Sequence, residues 1–570
     1  MKPYLDQPSV NDLAAREKDA PLVLGHPRFG SQELSLLASS SIGDAWRRAF
    51  ALHGSLAALH AEGDFAVGLR EPNGRTFLAV DRFAIRSICY RIKNGKLLFA
   101  ARADELADAD TEIDPQAIFD YLYFHVIPSP RTIYQGIYRL PPGHYALFEN
   151  NQLTVAPYWV PSFEEQRGKS FEALKTEFKE LLRNAVEVQL DSGKPACFLS
   201  GGTDSSTVTG MAALASGKTV ATYSIGFDAQ GYDEMEFARI TAKHFGSEHH
   251  EYYVTPEDLV RNIATVAAAY DQPFGNSSAL PAYCCAQVAR NDGVTKLLAG
   301  DGGDELFGGN TRYSKQKVFG WYQGLPAALR TEVLEPISSL SVVNQIPVVR
   351  KAASYVNQAK VPMPDRLMTY NLLFRLGVHD VLTPQLLAQV NQQDPAQQQR
   401  GVWAQARTGS LINRMLAFDW RYTLADCDLP KVVGTTALAG VEVGFPMLDD
   451  QLLAFSMALP TAYKVKGLRL RWFFKEALRG FLPDEIIAKK KQGFGLPFGV
   501  WANKHLALRD MASDSLHSLA RRGIVRTDFV VALLTKRLPE HPGYYGEMVW
   551  ILMMLEQWLA AKAPRYSLRG

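Results

Sequence analysis

The chain has 570 residues, 47% of them hydrophobic, too many for one ordinary core, so two or more domains are expected. Its 61 Lys and Arg nearly balance 59 Asp and Glu, which leaves no basic field to draw in nucleic acid or an anionic membrane. Five scattered cysteines (Cys89, Cys197, Cys284, Cys285 and Cys427) suit neither a disulfide framework nor a zinc site, and a reduced, cytoplasmic setting is expected.

The opening MKPYLDQPSVNDLAAREKDA is polar and lacks the apolar core of a signal peptide. Residues 60–160 read as β-rich. FAVGLREPNGRTFLAV places two apolar runs around Asn73-Gly74, YRIKNGKLLFAA repeats this around Asn94-Gly95, and HYALFENNQLTVAPYW does so around Asn150-Asn151. Such dipeptides favour tight hairpins, so an antiparallel sheet is predicted.

The character changes near residue 165. FEALKTEFKELLRNAVEVQL sets Phe171, Leu174, Phe178, Leu181, Leu182, Ala185 and Val186 on one helical face. Strands at PACFLS, TVATYSIGF, HHEYYV and VTKLLAG then alternate with helical stretches at DSSTVTGMAALA, DEMEFARITAKHF, 256–268 and 277–291. That alternation predicts a parallel sheet covered on both faces, with ligands beyond the carboxyl ends of its strands. Residues 310–570 read as mostly helical. The Gln-rich stretch near 392–399 reads as a solvated loop or helix end. VWILMMLEQWLAA is shorter than the roughly 20 apolar residues of a spanning helix and reads as a buried amphipathic helix.

Two loops carry the chemistry. Ser200-Gly201-Gly202-Thr203-Asp204-Ser205-Ser206 follows a predicted strand and opens a predicted helix. Its glycines admit a phosphate to the backbone and the helix N-terminus offers free N–H groups. Asp204 would repel a bare phosphate, so a bridging divalent cation is implied. The second loop, Gly300-Asp301-Gly302-Gly303-Asp304-Glu305, ends the strand VTKLLAG. Neighbouring parallel strands would bring it beside the first, and Asp204 and Asp304 could then share Mg²⁺ on a triphosphate. Ser216-Gly217-Lys218-Thr219 imitates the end of a Walker loop, but Ala212 stands where its first glycine belongs, and Gly217 is more simply a helix C-cap.

With SGGTDSS and GDGGDELFGG in place, the chain resembles the asparagine synthetase family. YSIGF (223–227), YDE (232–234), DQPFGNSSALPAY (271–283), VEVGFPMLDD (441–450) and KKKQGFGLPFGVW (489–501) extend the likeness. GDFAV (63–67), DRFAIRSICY (81–90), PRTIYQGIYRLPPGH (130–144) and Tyr158-Trp159 resemble that family's glutaminase domain. The resemblance implies an α/β chain in two parts. Residues 1–160 would be an antiparallel-sheet-rich, N-terminal-nucleophile-hydrolase-like domain. Residues 165–570 would be a doubly wound parallel α/β ATP pyrophosphatase domain with a helical C-terminal part. It implies adenylation of a small-molecule or peptide carboxylate by ATP, release of pyrophosphate, and attack by ammonia or an amine. Ser200, Gly201, Gly202, Asp204, Ser205 and Ser206 would hold pyrophosphate. Phe198, Leu199, Ile225 and the backbone at Ala299 and Gly300 would complete the nucleotide site, and Asp204 and Asp304 would hold Mg²⁺. Lys491 would stabilise adenylation, Asp301 would handle the amine, and Lys431 and Glu442 would lie near the site.

Departures from the family pattern shape the expectation. The first 88 residues contain no cysteine, so the N-terminal domain has no glutaminase nucleophile. Val433-Gly434 stands where the family has Asp-Arg, and Gly444 where it has Arg. Losing two arginines removes the usual bidentate partners of a carboxylate and puts aspartate as the substrate in doubt. The expected activity is amide ligation with free ammonia or an amine. The alternatives are intramolecular closure, as in lasso-peptide cyclases or β-lactam synthetases, and a non-catalytic scaffold. No nucleic acid and no membrane are expected as partners, and the oligomeric state stays open, a homodimer included.

Overall fold

The computed structural model describes residues 20–166, 168–190, 193–323, 326, 329–334, 355–490 and 495–568. The chain divides into two compact units. One comprises Met1–Ile118, Ile127–Val160 and Tyr270–Pro273, the other Phe119–Val126, Pro161–Ala269 and Phe274–Gly570.

In the first unit, the strands Leu22–Gly25, Phe65–Arg70, Thr76–Val80, His144–Glu149 and Gln152–Pro157 form an antiparallel sheet in that order. Alternation along the strands builds two cores. Phe65, Val67, Phe77 and Ala79 pack with Trp46 and Phe50 of the helix Ile42–His53. Ala66, Leu78 and Val80 face the other way, onto Tyr90, Leu97 and Phe148. The predicted hairpins form as read: Arg70 pairs Thr76, Lys93 pairs Lys96 and Glu149 pairs Gln152. Asn94, Gly95, Asn150 and Asn151 have positive φ, as the tightest hairpin turns require.

The second unit contains five parallel strands: β1 (Ala196–Phe198), β2 (Ala221–Phe227), β3 (Glu248–Val254), β4 (Lys296–Leu298) and β5 (Glu442–Gly444), in the order 3-2-1-4-5. β5 comes from VEVGFP, which the sequence pattern did not mark as a strand. Helices Thr203–Ser216 (α1), Met235–Phe245, Pro256–Ala269 and Ala279–Asn291 follow the predicted order. Gly217 caps α1 with φ 61°, which leaves SGKT outside any phosphate role. The order reverses beside β1, so the carboxyl ends of β1 and β4 frame the crevice where such sheets bind ligands.

The Gln-rich stretch is a helix end, one of the two forms expected: it runs into the first turns of Asp394–Gln405, where buried Gln399 accepts from the Tyr123 hydroxyl at 3.2 Å and gives the segment a packed face. One expectation is corrected. VWILMMLEQWLAA lies in the helix Pro542–Lys562 and is buried nearly all round, not on one stripe. Its Glu556 is neutralised by Arg522, 2.7 Å away.

Candidate active site

The glycine loop is shaped by contacts only glycine permits. Gly201 has φ 68°, and a Cβ there would lie 2.6 Å from the Ala238 nitrogen. Gly202 caps α1 without a side-chain hydrogen bond, and a helix N-terminus is a favourable place for an anion. Ser205 Oγ accepts from Ser200 N at 3.1 Å and lies 3.0 Å from Ser200 Oγ, which fixes the turn. Ser206 does not join this set. It is fully buried with its Oγ 2.9 Å from Thr241 Oγ1, because position 206 faces the core side of α1.

β4 pairs directly with β1, which carries the second loop to the first. A Cβ on Gly300 would lie 2.6 Å from Ser205 N, so the close approach of the two loops depends on glycine. The short helix α2 (Gly303–Phe307) then presents Asp304. Asp204 Oδ2 and Asp304 Oδ1 each accept from Arg471 Nη1 at 2.8 Å, so the two carboxylates converge on one point. Two converging carboxylates, completed by phosphate oxygens and water, are a donor set suited to Mg²⁺.

One cavity of about 1420 Å³ within the second unit is lined by Phe198, Leu199, Ser200, Gly202, Asp204, Ser205, Ile225, Gly300, Asp301, Asp304 and Lys431, among others. A volume above the roughly 300–1,000 Å³ of a typical ligand pocket leaves room for a nucleotide and a second reactant together. Ala299 is buried behind this wall, its N–H donated to Gly444 O at 2.9 Å. Glu442 is exposed at the first residue of β5, paired with Lys296 at the opposite end of the strand from the loops, and does not line the cavity. Lys491 falls outside the described residues.

Cations without a mark in the sequence pattern lie around the glycine loop and the two carboxylates. Lys489 Nζ donates to Gly201 O at 3.1 Å and pairs with Glu234 at 3.0 Å. Lys475 donates to Ile487 O at 2.7 Å, and burial, then neighbouring Arg471, hold its pKa below the usual lysine value. With Arg471 and Lys490, both line the cavity.

Around Asp301 the cavity wall is a connected polar network. Lys431 Nζ lies 3.0 Å from Asp428 and 3.8 Å from Asp301, and Asn276 Nδ2 reaches Asp428 at 3.4 Å. Burial pushes the Asp301 carboxyl up, against the pull of Lys431. Burial opposes the Lys431 ammonium, but Asp428 and Asp301 hold its pKa above the ordinary range. The π-helical segment Trp420–Asp428 widens the backbone just before Leu429–Ala439, which carries Lys431. His125 and Glu547 also face this cavity. Val433, Gly434 and Gly444 do not line it, and at Gly444 a Cβ would meet Gln189 Oε1 at 2.4 Å, so a larger side chain there would require the Gln189 side chain to move.

Among the described residues no helix is long and apolar enough to cross a membrane. The family model for asparagine synthase matches residues 177–560, and that for a glutamine amidotransferase domain matches residues 37–159. The chain is 24% identical over 484 residues to asparagine synthetase [glutamine-hydrolyzing] 1 of Bacillus subtilis, covering 84% of this chain and 74% of the relative. It is 28% identical over 520 residues to amidase chyE of Penicillium rubens, covering 78% and 70%. A putative asparagine synthetase of Methanocaldococcus jannaschii is 32% identical over 267 residues, 45% of this chain and 51% of the relative. With its synthase model spanning most of the chain, the protein belongs to the asparagine synthase family of ATP-using, amide-forming ligases.

Proposed function

We propose that the protein is an AMP- and pyrophosphate-forming amide ligase that adenylates a carboxylate other than aspartate and transfers ammonia or an amine to it, without glutaminase activity of its own. The observation that carries this reading is the single cavity joining a phosphate end, built on Asp204 and Asp304, to an acceptor end, built on Asp301, Lys431 and Asp428.

The division into residues 1–160, a degenerate glutaminase-like part, and 165–570, a synthetase-like part, belongs to this reading. The glycine loop and the N-terminus of α1 receive the triphosphate, and Phe198 and Ile225 border the adenosine. Asp204 and Asp304 would hold Mg²⁺, which when bound neutralises phosphate charge. Lys475 and Lys489 add positive charge where negative charge grows, and the family resemblance gives Lys491 the same task. Adenylation gives the carboxylate a leaving group, and holding amine and acyl carbon together supplies the rest. Asp301 accepts the proton that the attacking amine sheds, a role its raised pKa suits. Cys89 cannot replace the missing nucleophile, since it is fully buried and burial pushes its thiol up to about 12. Among the described residues, the network of Asp301, Lys431, Asp428 and Asn276 contains no arginine, which favours an acid without aspartate's second carboxylate. The Asp301–Lys431–Asp428 network suits an external amine and ranks intermolecular transfer above ring closure.

The test is Asp301→Ala, assayed for pyrophosphate and amide together across candidate carboxylates. Pyrophosphate should persist while amide falls about 10²-fold. Equal yields of both at the wild-type rate would remove Asp301 from the reaction.

A further inference from the structure

Arg471 is the most constrained side chain at the phosphate end. Its backbone sits at φ 52°, ψ 34°, the left-handed region that residues with a Cβ rarely adopt. Its side chain is 6% exposed. Nη1 donates to Asp204 and Asp304 at 2.8 Å each, and Nη2 donates to the second oxygen of Asp204. The guanidinium lies 4.0 Å from the centre of the Phe474 ring, and its buried Nε–H meets no acceptor. The guanidinium thus fills the point on which the two carboxylates converge. A divalent ion taken by the same oxygens must push it aside, since two cations that close repel strongly in a buried site.

We propose that Arg471 is an exchangeable cation. It holds Asp204 and Asp304 together, yields their converging oxygens to a divalent metal ion, and passes its guanidinium to a phosphate oxygen of the nucleotide. This rests on the reading of the two aspartates as metal ligands. The left-handed backbone and the unmet Nε–H mark a conformation held by its ion pairs, not by local preference. A metal ion alone meets a built-in competitor. A metal ion with nucleotide gives the displaced guanidinium a new anion, so the two ligands bind with positive coupling.

Mn²⁺ binding to the full chain, followed by electron paramagnetic resonance with and without α,β-methylene-ATP, tests this. In the wild type the analogue should strengthen Mn²⁺ binding about tenfold or more. Arg471→Met should bind Mn²⁺ alone about tenfold more tightly than wild type and lose most of the analogue's effect. Arg471→Lys, whose ammonium cannot span both carboxylates as the guanidinium fork does, should fall between and carries the test if Arg471→Met does not fold. The inference is overturned if the folded variants bind Mn²⁺ alone no more tightly than wild type. The underlying metal assignment fails separately if Asp204→Asn and Asp304→Asn keep wild-type Mn²⁺ binding in the presence of the analogue.

Discussion

Lys489 ties three groups together: the Gly201 carbonyl, the Glu234 carboxylate and the face of Phe237, 4.4 Å from the ring centre. It therefore positions the glycine loop through the backbone. Lys489→Gln should raise KM for ATP about tenfold with a smaller change in kcat, the scale of one lost charged hydrogen bond. Lys489→Arg should restore most of it in steady-state kinetics. An unchanged KM in the Gln variant would deny Lys489 any part in shaping the loop. Glu547 supplies a second residue-scale prediction. Burial raises its carboxyl from 4.5 to about 6. The folded state thus prefers the neutral acid, so this contribution to stability is full below pH 4.5 and is lost as pH rises through 6. That difference between folded and unfolded chain corresponds to about 2 kcal/mol. Glu547→Gln should melt with wild type at pH 4 and about 2 °C above it at pH 8. Equal melting at both pH values would show that the carboxyl is not desolvated.

At the scale of elements, the two loops were legible because their signals are local. Glycines beside carboxylates at a strand end have few other uses, and Asn-Gly pairs announce hairpins over a few residues. Partners far apart in sequence were not legible. Arg471 meets Asp304 across 167 positions, and Lys489 meets Gly201 across 288. A basic residue in RLRWFFKEALR or KKKQGF carries no mark of its partner. Ser206 and Glu442 lie away from the cavity for the opposite reason: a motif gives the residue type, while helix phase and strand end decide where the side chain lies. β5 is only three residues long, too short for a periodic signal. The packing of the loops yields a test of its own. A Cβ at Gly303 would fall 2.0 Å from Asp204 Oδ1, with that carboxylate pinned by Arg471. Gly303→Ala should lower pyrophosphate release about 10²-fold, comparable to losing one preorganised contact, while circular dichroism stays unchanged. Near-normal turnover would mean that the carboxylates need no such register.

For the whole molecule, a sheet order of 3-2-1-4-5 places both loops at the carboxyl ends of adjacent strands, and a largely helical C-terminal part brings Asp428, Lys431, Arg471, Lys475 and Lys489 to the same cavity. Membership of the family supports amide-forming ligation as the chemistry, while the cavity's own residues bear on which acid and which amine enter it. The most direct measurement of the central claim is an ¹⁸O transfer experiment with carboxylates labelled at the acid oxygens, with ammonium or glutamine as nitrogen source. If the carboxylate is adenylated, one ¹⁸O passes into AMP, pyrophosphate accumulates, and amide forms with ammonium or an amine but not with glutamine. Formation of ADP with the label in inorganic phosphate would contradict the account.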